Sequence, residues 1–249
     1  MAESKSAKNR SRKDEQSRFL CENLSFAGKE AYKRLRTNLQ FCFPEEETGC
    51  SVVGVTSSHP AEGKSITSIN LAYSMAQLNK RVLLVDADMR RSSISEKLKL
   101  ASRPGLSNLL LDSSTEGSIQ PYEPEDGSYG FYFLAAGDIP PNPSELLNSS
   151  RLSRLIAGLR TRFDYIIFDL PPVGAVSDAQ TVSTLVDGML VVVRENHTTK
   201  PLLSDCIRQL KLTNTRILGF VINGAVEGAS KTAGYSKYGS YSSYNSYYK

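Results

Sequence analysis

The chain has 249 residues, which is enough for one sizeable domain or at most two small ones. Its hydrophobic fraction of 40% and its charged fraction of 22% are ordinary for a soluble globular protein. The net charge of +4 is small and the basic residues are dispersed, so the composition by itself does not indicate a nucleic-acid-binding protein.

The N-terminal residues 1–16 are polar and basic, and we expect them to form a flexible arm. They contain no apolar segment typical of a signal peptide, and the longest apolar run, at 189–193, is far shorter than the ~20 residues of a membrane helix. We therefore expect a cytoplasmic chain that reaches a membrane only through a partner. The cysteines have neither CxxC spacing nor a nearby histidine, which favours free thiols over zinc or iron–sulfur ligands.

Hydrophobic periodicity predicts that strands and helices alternate along the chain. The predicted helices span about 28–41, 65–78, 105–111, 143–160, 177–187 and 200–212, and the predicted strands span 51–57, 81–88, 131–136, 165–170, 189–194 and 216–223. Continuous apolar strands between amphipathic helices indicate an α/β fold with a doubly wound, mostly parallel sheet covered on both faces. The acidic, turn-rich segment 112–130 is predicted to be a mobile loop.

The segment SSHPAEGKS at 57–65 joins a predicted strand to a predicted helix, which is the setting of a phosphate-binding loop. Gly63 would let the backbone approach a phosphate closely, and Lys64 would place a positive charge between the β- and γ-phosphates. The Ser65 hydroxyl suits a Mg²⁺ ligand. Ser58 stands where the first glycine of the G-x-x-x-x-G-K pattern is usual.

Three aspartates follow buried strands. Asp86 and Asp88 end the run VLLVDAD and are expected to point the same way by the alternation of a strand, and Asp169 ends the run YIIFD. Because ligands of open α/β sheets bind outside the carboxyl ends of the strands, these side chains should meet the phosphate loop at one edge. We predict that Asp86 acts as a general base, while Asp88 and Asp169 hold Mg²⁺ with Ser65. The residues alone leave the assignment within this trio open.

Together, the runs SSHPAEGKS, RVLLVDADMRR and YIIFDLPP resemble the bacterial tyrosine kinases (BY-kinases) of capsular and exopolysaccharide synthesis. The resemblance covers about residues 25–225 and the C-terminal tail, and it implies the P-loop NTPase class, in the branch that also holds partition ATPases. It further implies ATP and Mg²⁺ as cofactors, with Lys64, Asp86 and Asp88 as catalytic residues. The nucleotide-binding residues on this interpretation are Ser58, Pro60, Ala61, Glu62, Gly63, Lys64, Ser65, Ile66 and Asn223.

The segment EAYKRLRTN at 30–38 resembles the helix through which the family assembles rings, and its E-x-x-R-x-x-R pattern is represented by Glu30, Lys33 and Arg36. The resemblance also implies partners. These are a membrane-anchored polysaccharide co-polymerase that activates the kinase and recruits it to the inner face of the membrane, further copies of the same chain, and a tyrosine phosphatase. No nucleic acid is expected.

The last fifteen residues contain tyrosine but no Leu, Ile, Val or Phe, so they cannot bury enough apolar surface to order themselves. The acceptor tyrosines predicted here are Tyr235, Tyr238, Tyr241, Tyr244, Tyr247 and Tyr248. We expect a flexible arm at 1–16, a kinase domain at 17–226 and a flexible autophosphorylation tail at 227–249. At ~3.3 Å per residue the tail could extend to about 75 Å, which is enough to reach a neighbouring subunit.

Two other functions are compatible with these motifs. One is a partition- or division-type P-loop ATPase, although such proteins typically have a second lysine early in the loop, and positions 57–62 contain none. The other is a nucleotide-gated scaffold whose tail binds a partner without being phosphorylated.

Overall fold

The computed structural model describes residues 20–43, 49–112 and 117–225. The predictions for the arm at 1–16 and for the tail at 227–249, including its six tyrosines, lie outside the described residues.

The core of the domain is a seven-stranded sheet with the strand order β3-β4-β2-β5-β1-β6-β7. Its strands are β1 Ser51–Ser57, β2 Val82–Asp86, β3 Ile119–Tyr122, β4 Phe131–Leu134, β5 Tyr165–Asp169, β6 Gly188–Arg194 and β7 Ile217–Asn223. Only the pairing of β3 with β4 is antiparallel within this sheet, and the other neighbours are parallel. The predicted mostly parallel sheet is therefore confirmed.

Helices cover both faces of the sheet. They are α1 Phe26–Cys42, α2 Lys64–Ala76, α3 Ile94–Leu98, α4 Leu106–Leu111, α5 Pro143–Leu147, α6 Ser150–Arg160, α7 Asp178–Ser183 and α8 Lys200–Lys211, and a short 3₁₀ helix spans Cys21–Asn23. One buried apolar cluster contains residues of α1, α2 and α3, and a second on the opposite face contains residues of α4 to α8. This arrangement confirms the doubly wound fold.

The prediction of a loop throughout 112–130 is wrong where β3 forms. β3 pairs with β4 at the edge of the sheet, and its Pro121, which has no N–H to donate, is tolerated in such an edge strand. The predicted helix at 143–160 is instead two helices, because the Ser149 hydroxyl donates to the Leu146 carbonyl (2.7 Å) and Ser149 itself adopts an extended conformation. The five-residue helix α3 was not predicted, since it is too short for a periodic signal.

Three neighbouring central strands carry the site residues. β5 lies between β2 and β1, and its last residue, Asp169, is aligned with Asp86 on one side and with Val55 on the other. The loop after β1 therefore starts beside both acidic strand ends. This register brings segments from distant parts of the sequence to one edge of the sheet.

Three of the cysteines are buried free thiols. Burial raises the pKa of Cys21 and Cys206 to about 12 and that of Cys50 to about 11, so these thiols are poor nucleophiles at neutral pH. Within the ranges described, no helix has the length and apolar character that crossing a membrane requires.

Candidate active site

The loop between β1 and α2 has the backbone shape of a phosphate-binding loop. Ala61 and Gly63 both adopt the left-handed conformation, with φ of 65° and 96°. At a φ of 96° any other residue would be strained, and a Cβ on Gly63 would also displace Nδ2 of Asn223, so this position strongly favours glycine. Asn223 in turn donates from Nδ2 to the Glu62 carbonyl at 3.0 Å. The end of β7 thus supports the loop from one side.

Helix α2 starts directly after the loop, at Lys64, and its first hydrogen bond within the turn runs from Thr67 N to Gly63 O (2.9 Å). The first amide groups of a helix have no partner within the helix, and the helix dipole adds partial positive charge there. A loop with left-handed residues that leads into such a helix end fits the β- and γ-phosphates of a nucleotide.

Lys64 points into the acidic cluster at the end of the strands. Its Nζ lies 2.9 Å from Oδ2 of Asp88 and 3.7 Å from Oδ2 of Asp169. Burial alone would lower the pKa of Lys64, but the charges of Asp169 and Asp88 outweigh it and raise that pKa. The lysine is therefore a permanent positive charge at the mouth of the loop.

Asp169 is held by two hydroxyl groups of α2. Ser65 donates to Oδ2 at 2.6 Å, and Ser68, one turn later, donates to Oδ1 at 3.0 Å. Burial raises the pKa of Asp169, while Lys64 and these two hydroxyls act in the opposite direction. The sequence reasoning missed Ser68, although its spacing of four residues from Lys64 places it on the same face of the helix.

Asp86 is fully buried, and both of its carboxylate oxygens accept backbone N–H groups. Oδ1 accepts from Asp88 (3.2 Å) and Oδ2 accepts from Ile94 (3.4 Å). Burial, followed by the charge of Asp169, raises the pKa of Asp86 to about 7. β2 ends at Asp86, so the prediction of a strand as far as residue 88 is wrong. Asp88 lies beyond the strand, where its Oδ1 accepts the backbone N–H of Arg91 at 3.0 Å.

The oxygen atoms of Ser65, Asp88 and Asp169 are of the type that Mg²⁺ prefers. Across the described parts of the chain, no group of three or more His, Cys, Asp or Glu side chains forms a preassembled metal cage. A magnesium ion in a nucleotide site needs no such cage, because one or two carboxylates and the phosphates themselves complete its coordination. The residues present therefore fit Mg²⁺ bound together with a nucleotide.

The predicted assembly residues lie on α1, away from the phosphate loop. Glu30 and Lys33 form an ion pair at 2.7 Å along the helix surface. Arg36 donates from Nη1 to the carbonyl of Ser74 at 2.6 Å, near the end of α2 that is farther from Lys64. Its Nε is buried and has no hydrogen-bond partner in the described part of the chain. In this conformation, all three residues contact groups of their own subunit.

Comparison with known proteins gives consistent matches. An AAA domain family matches residues 52–218. Tyrosine-protein kinase YwqD of Bacillus subtilis is 35% identical over 207 residues, which cover 83% of this chain and 85% of YwqD. CpsD of Streptococcus agalactiae, also a tyrosine-protein kinase, is 32% identical over 207 residues, covering 83% of this chain and 87% of CpsD.

Tyrosine-protein kinase etk of Escherichia coli is a longer protein, and the match covers 83% of this chain but only 28% of etk, at 33% identity. The solved kinase domain of this enzyme superimposes with a TM-score of 0.75 and 33% identity, covering 84% of this chain and 80% of that domain. The chain therefore belongs to the family of bacterial tyrosine-protein kinases.

Proposed function

We propose that this chain is an ATP-dependent autokinase that phosphorylates the tyrosines of its own C-terminal segment 227–249. The observation that carries the proposal is the position of Lys64 between Asp88 and Asp169, at the start of α2 and beside a phosphate-type loop. The six tyrosines of that segment supply acceptor hydroxyls within the same chain.

Each part of the site has a proposed role. Bound Mg-ATP supplies the γ-phosphoryl group and a divalent charge. Backbone N–H groups of residues 61–66 hold the phosphates, and Asn223 keeps the loop in place from β7. Ser65, Asp88 and Asp169 hold Mg²⁺. Lys64 neutralises charge that develops on the transferred phosphoryl group, which is the main form of catalysis in such reactions.

A tyrosine hydroxyl has an ordinary pKa near 10, so it must lose its proton to a base as it is phosphorylated. We propose Asp86 as this base, because it stands at the end of β2 beside Asp169. Asp88 is the alternative, since its carboxylate is the one that contacts Lys64 directly. The two residues differ in their expected effect on nucleotide binding, and this difference separates them in the experiment below.

Other features of the proposal rest on the family resemblance. Phosphorylation occurs between chains of a homo-oligomeric ring that is assembled through Glu30, Lys33 and Arg36. A membrane-anchored polysaccharide co-polymerase recruits the cytoplasmic chain to the inner face of the membrane and activates it, and a tyrosine phosphatase reverses the modification. The cycle would regulate the synthesis and export of capsule or exopolysaccharide.

The test is phosphotyrosine mass spectrometry of the chain after incubation with Mg-ATP, with and without the cytosolic segment of the co-polymerase. We expect label in 227–249 for the wild type and none for Lys64→Met. Asp86→Asn should keep Mg-ADP affinity but lose about 10²-fold or more in labelling rate, as expected for removal of a general base. Asp88→Asn should instead weaken Mg-ADP binding.

Three results would contradict the proposal. If Lys64→Met labelled the segment as well as the wild type, this site would not be a kinase site. If the wild type hydrolysed ATP without forming phosphotyrosine under both conditions, the partition-type ATPase would be favoured. Binding of nucleotide with neither reaction would favour the nucleotide-gated scaffold.

A further inference from the structure

Glu62 is a fully buried carboxylate inside the phosphate loop. Both of its oxygens lie 3.0 Å from the Ser58 hydroxyl, which donates to them, and Oε2 also accepts the backbone N–H of His59 at 3.0 Å. A third donor is the hydroxyl of Thr198, which binds Oε1. A buried charge is costly unless its hydrogen bonds are made, and here three donors from two segments converge on it.

Thr198 lies in the loop between β6 and α8, far from the phosphate loop in sequence. Its hydroxyl accepts the backbone N–H of Arg194 at 2.7 Å while donating to Glu62. Arg194 also donates from Nη1 to the carbonyl of Ala61 at 3.1 Å. The end of β6 thus contacts the exposed backbone of the phosphate loop, and the β6–α8 loop contacts its buried carboxylate.

We infer that Glu62 is a positioning residue that, with Thr198, holds the phosphate loop in its nucleotide-binding shape. Its side chain points into the protein, so it does not contact a phosphate itself, and only its backbone can do so. The inference rests on the proposed nucleotide site, and it means that the β6–α8 loop supports that site. It predicts that Thr198, which no sequence motif singles out, controls nucleotide affinity.

A carboxylate suits this position better than the isosteric amide. Its oxygens accept all three hydrogen bonds, whereas a glutamine would turn an N–H₂ group toward at least one of the donors. A glutamine at this position would turn its carbonyl oxygen toward the N–H of His59, which can only donate, and its NH₂ group toward the hydroxyl of Thr198. Glu62→Gln should therefore remove the charge and the hydrogen bond that Thr198 donates, and loosen the contact that holds the phosphate loop.

The test is a double-mutant cycle on Mg-ADP binding, measured by calorimetry, with Glu62→Gln, Thr198→Val and the double variant. We expect each single variant to weaken binding about ten-fold or more, because hydrogen bonds to a charged group are strong. The double variant should be little weaker than Glu62→Gln alone, because the two residues act through one contact. In the kinase assay the KM for ATP should rise by a similar factor while kcat stays within about three-fold.

Two controls separate positioning from general destabilisation. Thr198→Ser keeps the hydroxyl and should bind Mg-ADP as the wild type does. Thr213→Val removes another partly buried hydroxyl, which forms hydrogen bonds with the Leu210 carbonyl and the Thr215 hydroxyl. Thr213 precedes β7, so it lies at the amino ends of the strands, away from the phosphate loop. This variant should lower the unfolding temperature without changing affinity.

The inference is overturned if Glu62→Gln and Thr198→Val both bind Mg-ADP normally, or if their effects on binding simply add. In either case normal labelling of segment 227–249 by the wild type would leave the proposed kinase activity standing. If the wild type binds no Mg-ADP, the proposed function fails first, and the inference fails with it.

Discussion

Ala61 has the left-handed backbone conformation that L-residues rarely adopt, with φ of 65°. The left-handed conformation costs an alanine about 1–2 kcal/mol, and glycine avoids this cost but gives the unfolded chain more entropy. We expect Ala61→Gly to raise the free energy of unfolding by up to about 1 kcal/mol in urea denaturation.

The matched control is Ala157→Gly, an exposed position in the regular helix α6. There glycine should lower the free energy of unfolding by about 1 kcal/mol, because no backbone strain is relieved. Equal losses in the two variants would show that Ala61 is not strained.

Ser58, in contrast, does not adopt a positive φ. A serine therefore fits the place of the usual first glycine without backbone strain.

At the scale of elements, the start of α4 is fixed against the end of β4. The backbone N–H groups of Leu106 and Ser107 donate to the carbonyls of Ala135 (2.7 Å) and Ala136 (2.9 Å). A Cβ on Gly105 would overlap the Ala135 carbonyl and the backbone of Gly137. The atoms that this Cβ would overlap belong to the backbone, which cannot move aside as the end of a flexible side chain can. Gly105→Ala should therefore lower the free energy of unfolding by about 3 kcal/mol.

Gly158 provides the matched substitution for this prediction. It lies on the exposed face of α6, and a Cβ there would meet no other atom within 4 Å. Gly158→Ala should therefore stabilise the chain by about 1 kcal/mol through helix propensity. Thermal and urea unfolding of both variants measure the contrast, and similar small effects for the two would contradict the close packing at Gly105.

Elements were predictable from the sequence where an apolar run was long and continuous. The strands β1, β2 and β5, and the aspartates that end β2 and β5, were found in this way, because buried parallel strands are apolar along most of their length. β3 was not, since its half-exposed residues include Pro121 and contain no apolar run. The contact between Thr198 and Glu62 spans 136 residues in sequence, so only the packing of the folded chain reveals it.

At the scale of the whole molecule, phosphorylation should change assembly. Each phosphotyrosine adds about −1.5 to −2 charges, so six of them would turn the segment 227–249 strongly negative and make neighbouring copies repel one another. We expect the wild type to dissociate from an oligomer to smaller species after incubation with Mg-ATP and its activator. Light scattering coupled to size-exclusion chromatography measures this change.

The control for this prediction replaces the six tyrosines of that segment with phenylalanine. This variant keeps the kinase site, so it should remain assembled under the same conditions, as should Lys64→Met. Dissociation of the phenylalanine variant would show that nucleotide, and not tail phosphorylation, controls assembly. An unchanged wild-type oligomer with fully phosphorylated tyrosines would contradict the electrostatic mechanism.

The contact of Asn223 with the Glu62 carbonyl has a kinetic consequence. Because β7 ends at this asparagine, the segment that carries the tyrosines is tethered next to the phosphate loop of its own chain. Covalent attachment at this point gives the tyrosines an effective local concentration at their own site in the millimolar range, against which a neighbouring copy must compete. The dependence of the labelling rate on protein concentration therefore distinguishes the two routes. A labelling rate per chain that is unchanged on dilution below the concentration at which copies assemble would indicate transfer within one chain. A rate that falls in proportion to the dilution would indicate transfer between chains.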